Sequence, residues 1–459
     1  MSLLHEFHSL LERGWQFAFP QVRSRERAIE HAIASLCVFG RRTLSRSLSA
    51  LGRSDSDWSA DYKLFSRSRW QAQRLFDPVI DEYLERYPKG PVVAAIDDTK
   101  LRKSGKKIPG ACWQRDPLSP PFHVNLLYGL RFLQAALLFP HYQEGDHPPR
   151  GIPVRFQEAP PLKKPGKRAS EAERQQYLQL RKVTNLSQQA LAMLRCLRAS
   201  IDQRGGSARS LLSVGDGSFA NKTMFKSPLE RTQLLARCRK DARLCFAAPA
   251  GQRRKYGQEL FTPAQVRQQP ERRWTKAWVY LGGQRRIVKY KEVTGVLWKR
   301  GGGQRSLRLL VIAPVPYKLS RYSRTNYRQP AYFLSTDLTT PAKLLVQACF
   351  DRWQIEVNHR DEKDILGVGQ AQLRSQHSVP RQPALAVASY SLLLLAALRS
   401  FGPGRTADYL AQPKWRRNDS KRPSLLDLVT LLRMQSNEAS VSRFLHPDFN
   451  KNLVLYADA

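Results

Sequence analysis

The sequence predicts an α/β fold, with a core of strands and helices interrupted by a β-rich insertion and preceded by a helical N-terminal domain. Two short apolar, strand-like runs, 91–99 and 210–219, carry aspartates near their ends. Apolar spacing predicts a helix over 341–366, which also carries acids. Strands that alternate with helices favour one α/β sheet, and ligand sites in such sheets lie off the ends of strands.

Helical segments are predicted at the N-terminal end and in the middle of the chain. Apolar residues recur at helical spacing within 1–88 and again within 169–204. Between these segments, 122–139 predicts two strands with a turn near Gly129, and the prolines and charges of 140–168 predict a loop. These elements complete the first part of the predicted core.

A change of pattern after residue 226 predicts an inserted group of antiparallel strands. Strand-like runs alternate there with glycine-rich breaks at 282–283 and 301–303. A second apolar helix is predicted over 383–400. We therefore predict five segments: a helical domain (1–88), the first part of the core (89–225), the β insertion (226–330), the second part of the core with an acidic helix (331–400), and a C-terminal region without a clear assignment (401–459).

The charge balance indicates a polyanionic partner. Lys and Arg total 76 and Asp and Glu total 38, which gives a formal net charge of +38. Such an excess destabilises a compact chain by self-repulsion unless an external anion neutralises it, and nucleic acid is the commonest candidate. An anionic membrane surface is the weaker alternative, because the basic residues are spread along the chain and are not gathered beside an apolar helix. For the helical segment 1–88, an ordinary solvated bundle remains the alternative to DNA binding.

Targeting and cysteine patterns favour a cytoplasmic protein that does not span a membrane. The N-terminal segment lacks the basic and small-residue regions of a signal peptide, and the apolar run 384–398 is short for a membrane span. The six cysteines form no CxxC pair, so neither a structural zinc site nor a disulfide framework is expected.

Three carboxylates have the arrangement that phosphodiester chemistry requires: one of Asp97 or Asp98, then Asp216, then Glu356. In-line attack on a phosphodiester develops charge on the attacking and leaving oxygens, which two divalent cations about 3.5–4 Å apart can stabilise. Mg²⁺ prefers hard oxygen ligands, so two acids from strand ends and one from a helix form a suitable ligand set.

The helix that carries Glu356 is the most specific of these motifs. Arg352 and Glu356 are four residues apart, and Glu356 and Lys363 are seven apart, so all three lie on nearly one helical face. A cation on each side of a carboxylate suits the binding of phosphates beside a metal. The alternative is a surface helix with ordinary ion pairs, in which Arg360 also pairs with Glu356.

These residues resemble the Tyr-x2-Arg-x3-Glu-x6-Lys signature of insertion-sequence transposases of the DDE superfamily. Arg352, Glu356 and Lys363 match it without a gap, whereas Cys349 stands at the tyrosine position. The runs 96–99 and 215–219 resemble the two aspartate motifs of the family. The resemblance covers roughly residues 90–400, and the β insertion between the second Asp and the Glu also fits the family layout.

The resemblance implies an RNase H-like core that holds two Mg²⁺ or Mn²⁺ ions, cuts double-stranded DNA at transposon ends and joins the 3′ hydroxyls to target DNA. It also implies a homodimer in the synaptic complex of a bacterial, nucleoid-associated enzyme. Arg352 and Lys363 would contact DNA phosphates. The alternatives are an RNase H-fold nuclease without strand transfer, an inactive DNA-binding derivative and, more remotely, an RNA-binding protein.

Two further assignments depend on this resemblance. The family pattern of an acid followed by Thr favours Asp98 as the first metal ligand, with Asp97 as the alternative, since adjacent strand residues face opposite ways. Trp298, within the insertion, is a candidate to hold a flipped base, with Trp274 and Trp278 as rivals.

His359 is expected to be a solvated helix residue and not a general base.

Overall fold

A mixed β-sheet of ten strands runs through the molecule. The computed structural model describes residues 2–116, 119–120, 122–139, 148–320, 322–415 and 422–437. The neighbour order is β2-β3-β1-β5-β6-β12-β9-β8-β7, with β4 also paired to β3, and β10 and β11 form a separate hairpin. The strands are β1 (Val92–Arg102), β2 (Cys112–Arg115), β3 (Leu126–Phe139), β4 (Arg150–Glu158), β5 (Leu211–Gly215), β6 (Thr232–Arg237), β7 (Thr275–Leu281), β8 (Gln284–Leu297), β9 (Ser306–Ile312), β10 (Pro316–Tyr317), β11 (Asn326–Tyr327) and β12 (Ala331–Ser335).

The centre of the sheet is parallel and buried on both faces. β1 pairs in parallel with β5, and β5 pairs in parallel with β6, whereas the other pairs are antiparallel. Val92, Ala94 and Ile96 of β1 pack into one apolar cluster, and Val93 and Ala95 pack into the other. This alternation explains why the start of β1 is an unbroken apolar run.

Helices cover both faces of the sheet. The N-terminal helices, α7, α12 and α13 share the larger cluster, while α10 and α11 pack on the opposite face. The helices are α1 (Leu3–Gly14), α2 (Val22–Cys37), α3 (Leu44–Ala50), α4 (Ser59–Ser66), α5 (Asp77–Arg86), α6 (Glu171–Val183), α7 (Leu186–Ile201), α8 (Lys222–Lys226), α9 (Pro263–Gln268), α10 (Ala342–Asp351), α11 (Trp353–Arg360), α12 (Ser378–Phe401) and α13 (Leu425–Asn437).

α12 is the central helix of the larger cluster. It contacts α1, α2, α4, α5 and β4, and nearly all of its apolar side chains are buried. Among the described residues it is the one helix long and apolar enough to cross a bilayer, but 78% of its apolar window is buried inside the protein. Its hydrophobicity is therefore accounted for by the core.

Within the segment 122–139, residues 126–139 form one long strand and not the two strands predicted from the sequence. Gly129 lies within β3, opposite Arg102 and Cys112 in the two neighbouring strands. A Cβ at Gly129 would collide with the carbonyl oxygen of Leu101 in β1. This glycine therefore permits a close approach of two strands and does not mark a turn.

The predicted loop over 140–168 is wrong where β4 forms. β4 pairs with residues 132–139 of β3. The register shifts between Ala135 and Ala136, and Pro153 is the partner of Ala136. A proline lacks the N–H that a ladder needs, but it is tolerated at an irregularity on an outer strand. Residues 140–147 of the predicted loop lie outside the described residues.

The sheet continues from the strands predicted as core into those predicted as insertion. Within 226–330, β7, β8 and β9 are antiparallel, whereas β6 pairs in parallel with the core strand β5, contrary to the prediction of an antiparallel insertion. β9 also pairs with β12, which pairs with β6. The predicted helix over 169–204 is divided into α6 and α7, because Asn185 caps a new helix by accepting a hydrogen bond from the N–H of Gln188.

Candidate active site

Asp97 and Asp216 lie side by side at the parallel centre of the sheet. Ala95 of β1 is paired with Val214 of β5, and the same register carried two residues further places Asp97 opposite Asp216. The Asp216 carboxylate accepts hydrogen bonds from the N–H (2.9 Å) and hydroxyl (3.2 Å) of Ser218, which fix it at the start of a short 3₁₀ turn. The two aspartates therefore meet where β5 ends.

Glu356 approaches this pair from α11. The Arg352 guanidinium joins them, since its Nη1 lies 3.3 Å from Oδ2 of Asp97 and its Nη2 donates to Oε1 of Glu356. Arg360, which the sequence alternative paired with Glu356, instead contacts Asp361 at 3.0 Å. The predicted Arg–Glu register on one helical face is present, and it is directed at β1.

The direction of the side chains separates Asp97 from Asp98. Asp97 follows Val93 and Ala95 on the face of the sheet that α10 and α11 cover. Asp98 follows Ala94 and Ile96 on the other face. The structure therefore places Asp97 beside the Glu356 helix, whereas the sequence pattern favoured Asp98.

The electrostatic surroundings of the two aspartates differ accordingly. Burial and the charge of Asp216 raise the pKa of Asp97 to about 7, and Arg352 opposes that rise. Burial also raises the pKa of Asp98, but there Arg131 and Lys100 are the leading opposing charges. Asp97 is thus the carboxylate with the larger uncompensated repulsion from Asp216, which a cation would relieve.

Lys363 lies just beyond the regular helix, in a π-helical turn over Asp361–Ile365. Burial lowers the pKa of Lys363, and the charges of Glu362, Asp364 and Asp97 counteract that effect. Lys363 also opposes the rise in the pKa of Asp98 that burial causes. The second cation of the helix motif is therefore within electrostatic reach of both strand aspartates.

His359 is buried, not solvated as expected from the sequence. It is 9% exposed, and burial together with Lys363 and Arg352 lowers its pKa to about 3. The ring is therefore neutral at physiological pH. Cys349, at the tyrosine position of the motif, is also buried, and burial raises the pKa of its thiol.

Trp298 packs at the margin of the core. Its ring meets Phe225 edge-on at 5.7 Å, and a Cβ on Gly301 would collide with it. Trp274 is also partly buried, with the ammonium of Lys291 over its ring at 4.7 Å. Trp278, on β7, is 62% exposed and is the most accessible of the three.

Sequence reasoning missed two buried polar residues behind the carboxylates. Gln134 is paired with Asp97 across β1 and β3 and is fully buried. Glu362 is 1% exposed, and burial raises its pKa well above the ordinary value. Gln134 is the one uncharged polar side chain within the apolar run 132–139, a signal that could have identified it.

The candidate carboxylates are chemically suited to a divalent cation, although they do not surround a single point. Asp97, Asp216 and Glu356 supply hard oxygen ligands and an excess of negative charge, which fit Mg²⁺ or Mn²⁺. In the described part of the chain, however, no three His, Cys, Asp or Glu side chains already surround a point that could hold a metal. Arg352 stands between two of these acids.

Comparison with known proteins identifies the family. A family model described as DDE superfamily endonuclease matches residues 18–305, more than half of the 459 residues. The match includes Asp97, Asp98 and Asp216 and ends before Glu356. A search of curated proteins finds no match to the chain. The chain therefore belongs to the DDE superfamily endonucleases, a transposase family.

Proposed function

We propose that this protein is a DNA transposase, which cuts transposon ends and joins the freed 3′ hydroxyls to target DNA. The convergence of Asp97, Asp216 and the Arg352–Glu356 pair at one edge of the sheet carries the proposal. Membership of the DDE superfamily endonucleases supports the cutting step and its dependence on divalent metal. The +38 charge supports a DNA partner.

Asp97, Asp216 and Glu356 are the residues we assign to two Mg²⁺ or Mn²⁺ ions, with Asp98 as the alternative first ligand. The ions would stabilise charge on the attacking and leaving oxygens of the phosphodiester. The protein itself supplies the carboxylates from three elements: β1 carries Asp97, Asp216 directly follows β5, and α11 carries Glu356. The side chains of Asp97 and Glu356 are 18% and 33% exposed, so bulk water screens their interactions less than at an open surface.

Arg352 and Lys363 are assigned to DNA phosphates beside the cut. Arg352 presents a planar guanidinium that suits bidentate phosphate contacts, and Lys363 supplies an exposed point charge. For base stacking, the exposed Trp278 is a better candidate than the packed Trp298. Action as a homodimer on double-stranded DNA in the bacterial cytoplasm is part of the same proposal.

The test is cleavage of a supercoiled plasmid carrying the flanking element ends, with Mg²⁺, by wild type and Glu356→Gln. This substitution keeps the size of the side chain and removes its charge. Cutting and joining by wild type, both lost in the variant while DNA binding persists, are the expected results. Cut ends without joined product would identify a nuclease, and equal activity of the two proteins would refute the ligand assignment.

A further inference from the structure

A single guanidinium forms ion pairs with two of the proposed metal ligands. Arg352 uses one terminal nitrogen for Asp97 and the other for Glu356, so it spans the gap between β1 and α11. Its side chain is 16% exposed, and those of Asp97 and Glu356 are 18% and 33% exposed. The bridge is thus largely shielded from water. Partly buried ion pairs of this kind are screened less than exposed ones.

This bridge competes with a divalent cation for the same oxygens. Mg²⁺ binds carboxylate oxygen at about 2.0–2.1 Å in a near-octahedral shell. Oδ2 of Asp97 and Oε1 of Glu356 are the oxygens that contact the guanidinium. A cation bound between these oxygens would lie against the positive charge of Arg352, so the guanidinium and the metal cannot both occupy that position.

A DNA phosphate offers Arg352 an alternative partner. Arginine binds phosphate with two parallel, charge-assisted hydrogen bonds, as it binds carboxylate. The oxygens released by Arg352 are then free for metal. From this geometry, and on the basis of the proposed function, we infer that Arg352 is an internal counter-cation, which keeps divalent metal weakly bound until DNA phosphate draws the guanidinium away from Asp97 and Glu356.

The linkage is reciprocal. If DNA strengthens metal binding by releasing Arg352, then metal strengthens DNA binding by the same factor. Coupling between two sites typically amounts to a factor of about 5–150. The inference therefore requires that removal of the Arg352 charge raises the metal affinity of the DNA-free protein, although the variant loses a phosphate contact.

The experiment measures Mn²⁺ affinity of the full chain without DNA, by calorimetry and by the electron paramagnetic resonance signal of free Mn²⁺. Arg352→Gln should bind Mn²⁺ at least about fivefold more tightly than wild type. Arg352→Lys, which keeps the charge, should stay close to wild type. Arg360→Gln is the matched control and should leave the affinity unchanged. Arg352 precedes the first residue of α11, whereas Arg360 is its exposed last residue and contacts Asp361 and not the proposed ligands.

A second arm measures binding of an already cleaved end duplex, by fluorescence anisotropy, with and without Mn²⁺. Wild type should gain at least about fivefold more affinity from Mn²⁺ than Arg352→Gln gains. Equal gains, or unchanged Mn²⁺ affinity of a folded Arg352→Gln variant, would overturn the inference while the ligand assignment stands. If Glu356→Gln, added to Arg352→Gln, does not weaken Mn²⁺ binding, then the ligand assignment fails and the inference fails with it.

Discussion

Replacing Asp97 with asparagine should stabilise the metal-free fold. The pKa of Asp97 rises from the ordinary value of 3.8 to about 7, chiefly through burial and then through Asp216. The folded state therefore binds this proton more tightly than the unfolded state, and the stability that the group contributes at low pH is lost as the pH rises through 7. An asparagine carries no charge at any pH, so the variant avoids this loss.

The size of the effect follows from the two pKa values. At about 1.4 kcal/mol per pKa unit, the interval between 3.8 and about 7 corresponds to about 4 kcal/mol. The gain in free energy of unfolding should grow from about 2 kcal/mol at pH 5 to about 4 kcal/mol at pH 8. Divalent metal should reverse the order of stability, because only wild type retains the carboxylate ligand.

Urea unfolding in EDTA, at several values between pH 5 and pH 8, measures the difference between Asp97→Asn and wild type. Asp241→Asn is the control, because this fully exposed carboxylate has a pKa lowered by its contact with Arg239 and should not stabilise the protein when removed. A difference that does not change with pH, or an Asp97→Asn variant less stable than wild type at pH 8, would refute the electrostatic argument.

Three further predictions test other parts of the structure. Gly129→Ala should lower the free energy of unfolding by about 1–3 kcal/mol, because the added Cβ collides with β1. Gly166→Ala is the control, since its Cβ meets no atom within 4 Å, and thermal melting should show a loss of stability for Gly129→Ala alone. Trp298→Ala should lower the free energy of unfolding by up to about 3 kcal/mol, because its ring is packed. Trp278 is exposed, so Trp278→Ala should change the cleavage of end DNA more than the stability. The reverse pattern would contradict the packing of the two rings. Lys363→Gln should make the slope of log affinity for DNA against log salt concentration shallower by about 1, and an unchanged slope would remove Lys363 from the phosphate contacts.

The sequence predicted the type of most elements because local patterns determined them. The apolar run before Asp97 and the helical spacing around Glu356 recur in the structure as β1 and α11. Patterns failed where tertiary contacts dominate. Gly129 is required by the approach of another strand, and Pro153 is accommodated by an irregular register on an outer strand, and neither condition is visible in the local sequence.

For the candidate site, the sequence indicated the types of residue but not the face of the sheet on which each side chain lies. Asp97 and Asp98 are adjacent acids, and a strand pattern alone does not say which face of the sheet the Glu356 helix covers. The pairing of β1 with β5 and the packing of α11 supply that information and direct Asp97 towards Arg352. The buried positions of His359 and Glu362 likewise depend on the sheet beneath α11 and not on helical spacing.

The most direct test of the account compares Mg²⁺-dependent cleavage of end-bearing plasmid by Asp97→Asn and Asp98→Asn, with equal DNA binding as the control. Loss of a metal ligand removes several kcal/mol of transition-state stabilisation, so Asp97→Asn should cut at least about 10³-fold more slowly than wild type. Asp98→Asn should retain most of the activity, because its side chain lies on the other face. An inactive Asp98→Asn beside an active Asp97→Asn would contradict the assignment of the catalytic face.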